Sequence, residues 1–403
     1  MDATLETGAT NDPVSSQLEG PDGAAITPLL VELSSARPAT VGEQYDVAGV
    51  LLGRRFTEEG LVSLAVASDG TLVVAELPPP DVEAGVMMTA PVRVGSWDWQ
   101  QFTPYEDVSA TPQGDGPRQA YGGYESDGYV TWVETESVDL FVDTWRVFLR
   151  HPDGHVALLA RGEEINPEGV PFRNELTQPV ISGGRVFWMT PYPTAPSPDL
   201  LGDEWTTAIV SRDVDGSEEL RVDAVDARSP SSSRGGVIIT RTTPAPGADE
   251  NRDLVSWIDG AGETHDLVSY SSDGQLSITV SASDELAVVR AVDRATDAGP
   301  AWLDVIDLES LQTTRISLDV REGSMPGNEV HACGGLVVWN NADGAGTPDG
   351  AVWAFDSRAD TLWTVAVPEL RGPMLCHDRL IAWDSFPDPD PGVAATLTLT
   401  RWN

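Results

Sequence analysis

QPVISGGRVFW, Gln178 to Trp188, sets an apolar approach, a Ser-Gly-Gly turn and a strand of large apolar side chains end to end. Glycine pairs between apolar runs favour tight hairpins, because such turns need positive φ. Related phrases recur as SSSRGGVIIT (231–240), HACGGLVVW (331–339) and MLCHDRLIAW (374–383). Aligned on the last residue of the buried strand, the anchors are Trp132, Trp188, Thr240, Arg290, Trp339 and Trp383, spaced 44 to 56 residues apart. Repetition at that period, with only β signals inside each unit, is the signature of a β-propeller.

The interiors of the units agree. His151-Pro152-Asp153-Gly154 and Asp215-Gly216 each separate two apolar runs, as a hairpin requires. No amphipathic helix longer than two turns stands out, which disfavours an α/β fold. The expected fold is all-β, a propeller of seven four-stranded blades, with six and eight as the alternatives. Blades are expected near 45–105, 118–170, 175–225, 228–275, 276–322, 328–368 and 371–403. The last is short of strands, and AITPLLVEL near the N-terminus is a strand without a unit. Pairing 25–34 with the last blade would close the ring and remove its open edges. The polar segment 1–22 reads as a flexible acidic leader of the kind left when an export or lipid-anchor signal is cleaved, with a native cytoplasmic start as the alternative.

The phrase QPVISGGRVFW resembles the WD40-like repeat of TolB-type propellers, a pattern of Pro, two spacers, Ser, a Gly turn and a strand. GPMLCHDRLIAW and NEVHACGGLVVW are similar, and ESDGYVTW keeps the Asp before the turn Gly. The resemblance covers about six short phrases. It implies a propeller fold and brings no catalytic residue with it, because such propellers serve as scaffolds and as domains of peptidases.

Composition narrows the chemistry. Sixty-four Asp and Glu oppose 24 basic residues, a net charge of −40, which disfavours nucleic acid and anionic lipid. Every basic residue is Arg, so any chemistry needing Lys is excluded. A GC-rich genome explains this composition, with a high-salt habitat as the alternative. No apolar run approaches the roughly 20 residues of a membrane span. HExxH, CxxC, GxSxG and GxGxxG are absent. A peptidase of the propeller-plus-hydrolase type would need a further α/β domain.

Cys333 and Cys376 occupy near-equivalent places in consecutive units, so a disulfide between adjacent inner strands is expected, with two buried thiols as the alternative. A bridge would fit an oxidising, exported setting. His331 and His377 flank these cysteines; structural roles are favoured for them, with a Cys/His zinc site as the alternative. Asp213-Val-Asp215-Gly with Glu218 and Glu219 resembles part of a calcium loop, but a hairpin turn is needed there anyway. No metal and no cofactor are expected.

Residues that precede each buried strand include Arg118, Gln178, Arg228, Glu329 and Arg371. Connections between blades ring one mouth of a propeller's channel, so three arginines there would form a positive funnel for an anionic or polyhydroxylated ligand. Ordinary ion pairs with neighbouring acids are the alternative. Trp97, Trp99 and Phe102 would form a stacking platform if exposed, though a core role is favoured. The expected function is an exported or envelope-attached, monomeric, non-catalytic module. It would bind a protein or glycan, an anionic one included, at the funnel or loops, without inserting into the membrane. The ligand set would be Arg118, Gln178, Arg228, Glu329, His331, Arg371 and His377. The alternative is a polysaccharide lyase or glycoside hydrolase at the funnel, with His331, His377 or Tyr121 handling the proton. A cytoplasmic scaffold with free thiols is the third reading.

Overall fold

The computed structural model describes residues 17–53, 60–77, 92–106, 119–135, 142–143, 145–171, 178–196, 198–199, 202–244, 251–271, 276–293, 301–318, 330–340, 350–367, 370–385 and 395–403. These form seven small sheets, antiparallel among each blade's own four strands and arranged as the blades of a propeller, and a separate two-stranded pair, Val142–Asp143 with Val170–Pro171. The inner strands are Gly60–Val66, Gln119–Ser126, Val180–Ser182, Ala227–Ser233, Leu276–Ala282, Val330–Cys333 and Leu370–His377, for blades 1 to 7 in that order. Each touches the inner strand of the next blade, and the seventh touches the first, so the ring closes. Among the described residues the helical elements are two 3₁₀ turns, Leu33–Ser35 and Gly162–Glu164.

The recurring turn has a stereochemical reason. After the inner strand, both central residues adopt positive φ in blade 2 (Asp127 and Gly128), blade 3 (Gly183 and Gly184) and blade 4 (Arg234 and Gly235). That is the turn whose twist matches paired strands, and glycine adopts it at least cost. Gly183 has a second constraint, since a Cβ there would stand 2.7 Å from the Gly235 carbonyl oxygen of the next blade.

Apolar side chains are buried between blades. Seven clusters of buried residues fill the seven interfaces; Trp132 sits between blades 1 and 2, Trp188 between 2 and 3, Trp339 between 5 and 6, and Trp383 between 6 and 7. The third strands of blades 2 and 5 are covered on both faces, so Trp145–Arg150 and Ala301–Asp307 are buried almost continuously rather than at alternate residues, with Arg146 and Asp304 among the buried positions. Burial of each large apolar side chain contributes about 1.5–3 kcal/mol. Several ionisable side chains are buried as well, Asp304 most completely. Asp304 is fully covered and accepts two bonds from Arg315 (2.7 and 2.8 Å), one from Tyr270 (3.1 Å) and one from Trp302 (3.0 Å). Those bonds offset the loss of hydration.

An N-terminal strand does complete the seventh blade, but it is Tyr45–Gly53, antiparallel to Ala395–Trp402, and not 25–34. Tyr45 stacks on Trp402 with ring centroids 5.4 Å apart. The segment before it runs along the outside of three blades. Gln17–Glu19 pairs with the outer strand of blade 4, Leu29–Val31 runs parallel to that of blade 5, and Arg37–Pro38 parallel to that of blade 6. The apolar run AITPLLVEL therefore caps an outer edge, with Leu29 and Leu30 63% and 69% exposed. Blade 1 accordingly begins at Gly60, and residues 17–19 of the expected leader form a strand.

The Cys333–Cys376 disulfide is present, joining the inner strands of blades 6 and 7 with Cα atoms 5.9 Å apart. Trp97, Trp99 and Phe102 pack against the cluster between blades 7 and 1. Trp99 donates to the Gly70 carbonyl at 2.8 Å, and Gly49 of the closing strand leaves room for its ring.

Candidate functional site

On the propeller axis lies a channel of about 540 Å³, lined by residues from the inner strands of all seven blades. Its wall is polar. Serines 231, 232, 281 and 283, Tyr124, Glu125, Asp284, Glu285, His331, His377 and Asp378 all face it, with Gln178 and Cys376.

The serines follow from how inner strands meet. Neighbouring inner strands are not paired by a backbone ladder, so their free backbone groups need other partners. Ser232 donates to the Ile181 carbonyl of blade 3 (2.9 Å), and Ser283 to the Gly334 carbonyl of blade 6 (2.8 Å). Ser231 and Ser281 accept from the backbone N–H groups of Ala282 (2.7 Å) and Ala332 (3.1 Å). Gln178 plays a similar part, donating its side-chain amide to the Gly123 carbonyl of blade 2.

Glu125 is buried and accepts from the backbone N–H groups of Ser68 (2.8 Å) and Gly128 (2.9 Å). His377 places Nδ1 3.6 Å from Glu125, and its Nε2 lies 3.9 Å from Asp378. Burial raises the Tyr124 phenol above its ordinary value, a hydrogen bond with Ser232 opposes this, and the charges of Asp284, Glu125 and Asp378 add to it. Carboxylates from blades 2, 5 and 7 thus act on one buried hydroxyl. Burial pushes His331 down to about 4, opposed by a hydrogen bond to the Met374 backbone, and its Nε2 is buried without a partner.

Of the residues singled out from sequence, Gln178, His331 and His377 line this channel. Arg228 is exposed and its charge acts on Asp253. Arg118 and Glu329 lie outside the described residues, as does the side chain of Arg371. Among the described lining residues none is an arginine. Glu125, Tyr124, the serines, Asp284 and Asp378 were not singled out. They stand five to nine residues before each anchor, nearer the turn than Arg118, Gln178, Arg228, Glu329 and Arg371, and that offset is the signal that could have found them.

Three arrangements bear on metal. The disulfide occupies both cysteine sulfurs, so they are not zinc ligands here. Asp213 caps its own turn, accepting from the N–H groups of Ser217 (3.1 Å) and Glu218 (2.8 Å), while Glu218 pairs with Arg185. Among the described residues Asp259, Glu263 and His265, on an outer hairpin of blade 4, bring one ligand atom each within 4.8 Å of one another. The Asp259 carboxylate already accepts from the N–H groups of Ala261 and Glu263, both at 2.9 Å.

No protein-family model and no curated protein matches the chain. Solved structures do. Acylaminoacyl peptidase from Pyrococcus horikoshii superposes with a TM-score of 0.54 at 10% identity, covering 87% of this chain and 54% of that one. The β-propeller domain of the Trilobed protease from Pyrococcus furiosus, described as having an open velcro topology, gives 0.50 at 7% identity, covering 90% of this chain and 96% of that one. The chain spans about half the length of the intact peptidase. At such identities the likeness establishes a divergent β-propeller. These propellers come from peptidases, which corrects the expectation of a protein- or glycan-binding module and its alternative of a lyase or glycoside hydrolase.

Proposed function

We propose that this chain is a peptidase-related propeller, which admits an extended peptide segment into its axial channel and so selects what reaches a peptide-cleaving centre. The observation that carries the reading is the channel itself, which reaches the inner strands of all seven blades and is walled by hydroxyls and backbone edges. Such a wall suits a main chain rich in N–H and C=O groups. Its volume lies within the range of about 300–1,000 Å³ usual for ligand sites. Both peptidase propellers described above support it at the level of fold. A ring closed by Tyr45–Gly53 would keep the channel's diameter fixed, so folded proteins would be refused and unfolded segments accepted.

The cleaving groups are not assigned to the described channel. Its two histidines are engaged with the Met374 backbone and with Glu125. An exported setting is part of the same proposal, supported by the Cys333–Cys376 disulfide.

Hydrogen exchange of the full chain with and without an unstructured neutral ten-residue peptide tests the reading. Inner-strand amides within 229–233 and 280–283 should exchange more slowly with the peptide, and a folded domain of similar composition should leave them unchanged. Unaltered exchange at all inner strands, with saturating peptide, would overturn it.

A further inference from the structure

We propose that the end of the channel beside the inner turns is a subsite for a positively charged peptide side chain, arginine before all. This rests on the reading of the channel as a peptide path and adds which peptides it prefers.

Three observations converge. Glu125, Asp284 and Asp378 come from blades 2, 5 and 7, yet all act on Tyr124, so their fields add across the bore instead of lying along one strand. Glu125 is buried in the wall, while Asp284 and Asp378 stand exposed at the mouth, the latter 83% exposed, so solvent screens part of their field. Among the described residues no arginine lines the channel. Two arginines that reach lining residues are committed elsewhere. Arg358 pairs with Glu285, and Arg234 bonds the carbonyl oxygens of Asp284 and Leu308. Glu285 is thereby matched, while among the described residues no arginine side chain pairs with Glu125, Asp284 or Asp378.

The second observation is the hydrogen-bonding sense of the wall. Ser232 spends its proton on the Ile181 carbonyl of the adjacent blade, which leaves its oxygen as an acceptor, whereas Ser283 donates to Gly334 and already accepts from the Leu286 and Glu285 N–H groups at 3.2 and 3.4 Å. The third is His331. Its ring donates to the Met374 carbonyl, and the other nitrogen, Nε2, is buried with no partner. In the neutral ring that nitrogen is an acceptor. Carboxylates, a hydroxyl lone pair and a bare imidazole nitrogen together ask for a ligand that only donates. A guanidinium does so with five N–H groups in a rigid plane. A divalent ion is the lesser fit, because no three channel carboxylate or imidazole atoms among the described residues approach as closely as those of Asp259, Glu263 and His265.

Fluorescence anisotropy at about 0.15 M salt tests this with labelled ten-residue Gly-Ser peptides carrying one central Arg or one central Gln. The intact protein should bind the Arg peptide at least about tenfold more tightly. Asp284→Asn combined with Asp378→Asn should bring its affinity down to that of the Gln peptide; Asn also tolerates the positive φ of 49° at position 378. Asp215→Asn with Glu219→Gln removes the same charge from an exposed turn outside the channel and should change affinity less than twofold. Equal loss in both double variants would assign the effect to the net charge of −40 and overturn the subsite. Equal binding of the two peptides would overturn the subsite while leaving the peptide channel standing. Absence of binding by either peptide would overturn both.

Discussion

Burial holds the His331 imidazole neutral down to about pH 4, against an ordinary value of 6.5. The unfolded chain therefore takes up this proton at higher pH than the folded one. Between about 6.5 and 4 the unfolded state binds more protons, so stability falls with falling pH through that window and is unaffected by this group above it. Full expression of the shift amounts to about 3 kcal/mol. Acidification also relieves the repulsion among the acids, so the test is a difference: the urea midpoint of the native protein relative to His331→Gln should fall from pH 7.5 to 5.5 to 4.5. An unchanged slope in the variant would mean that the imidazole is solvated in solution. Two of the channel's polar groups, His331 and His377, were visible in the sequence because histidine is scarce in it. Glu125 was not, since one buried acid looks like any other of sixty-four until the fold brings Ser68 and Gly128 to it. Arg228 illustrates the reverse. Its recurrence before a buried strand suggested a funnel, yet its charge faces Asp253.

The elements that repeat were legible, and those that occur once were not. A turn with positive φ between a polar strand and an apolar one leaves the same mark in each unit, so Ser126–Tyr129, Ser182–Arg185 and Ser233–Gly236 could be aligned without coordinates. The closing strand has no such mark. Tyr45–Gly53 is recognisable only through Tyr45 on Trp402 and through Gly49 making way for Trp99, contacts that reach across most of the chain. AITPLLVEL looked the better strand because it is more apolar, but it edges blade 5 along three residue pairs only. These roles predict different losses. Removing residues 1–40 strips three short edge strands and should lower the melting temperature by a few degrees while leaving one cooperative transition. Removing residues 1–53 also opens the eight-pair ladder with Ala395–Trp402 and should leave aggregating protein, because a long unpaired edge and the surface beneath Tyr45 become exposed. The disulfide between blades 6 and 7 cannot substitute, since it lies at the inner strands and the lost strand at the rim. Equal melting of both truncations would overturn that ranking.

For the whole ring, the dominant long-range term is self-repulsion. A net charge of −40 on one chain disfavours any compact state, and the stabilising contacts here are short-ranged: seven apolar interfaces, the hydroxyl bridges between inner strands, and ion pairs such as Arg212 with Glu164. Added salt shortens the reach of the repulsion from about 30 Å at 0.01 M to about 3 Å at 1 M. It also weakens the exposed ion pairs, but those contribute about 0–1 kcal/mol each, and the excess acids far outnumber the arginines available to them. Repulsion should therefore win, and the melting temperature should climb by several degrees between 0.01 and 0.5 M sodium chloride. The same range should weaken an arginine peptide's binding, because that interaction has the opposite sign. Stability and affinity moving in opposite directions with salt would be the combined signature of an over-charged ring with an acidic bore. A melting temperature that falls with salt would show instead that the ion pairs carry the fold.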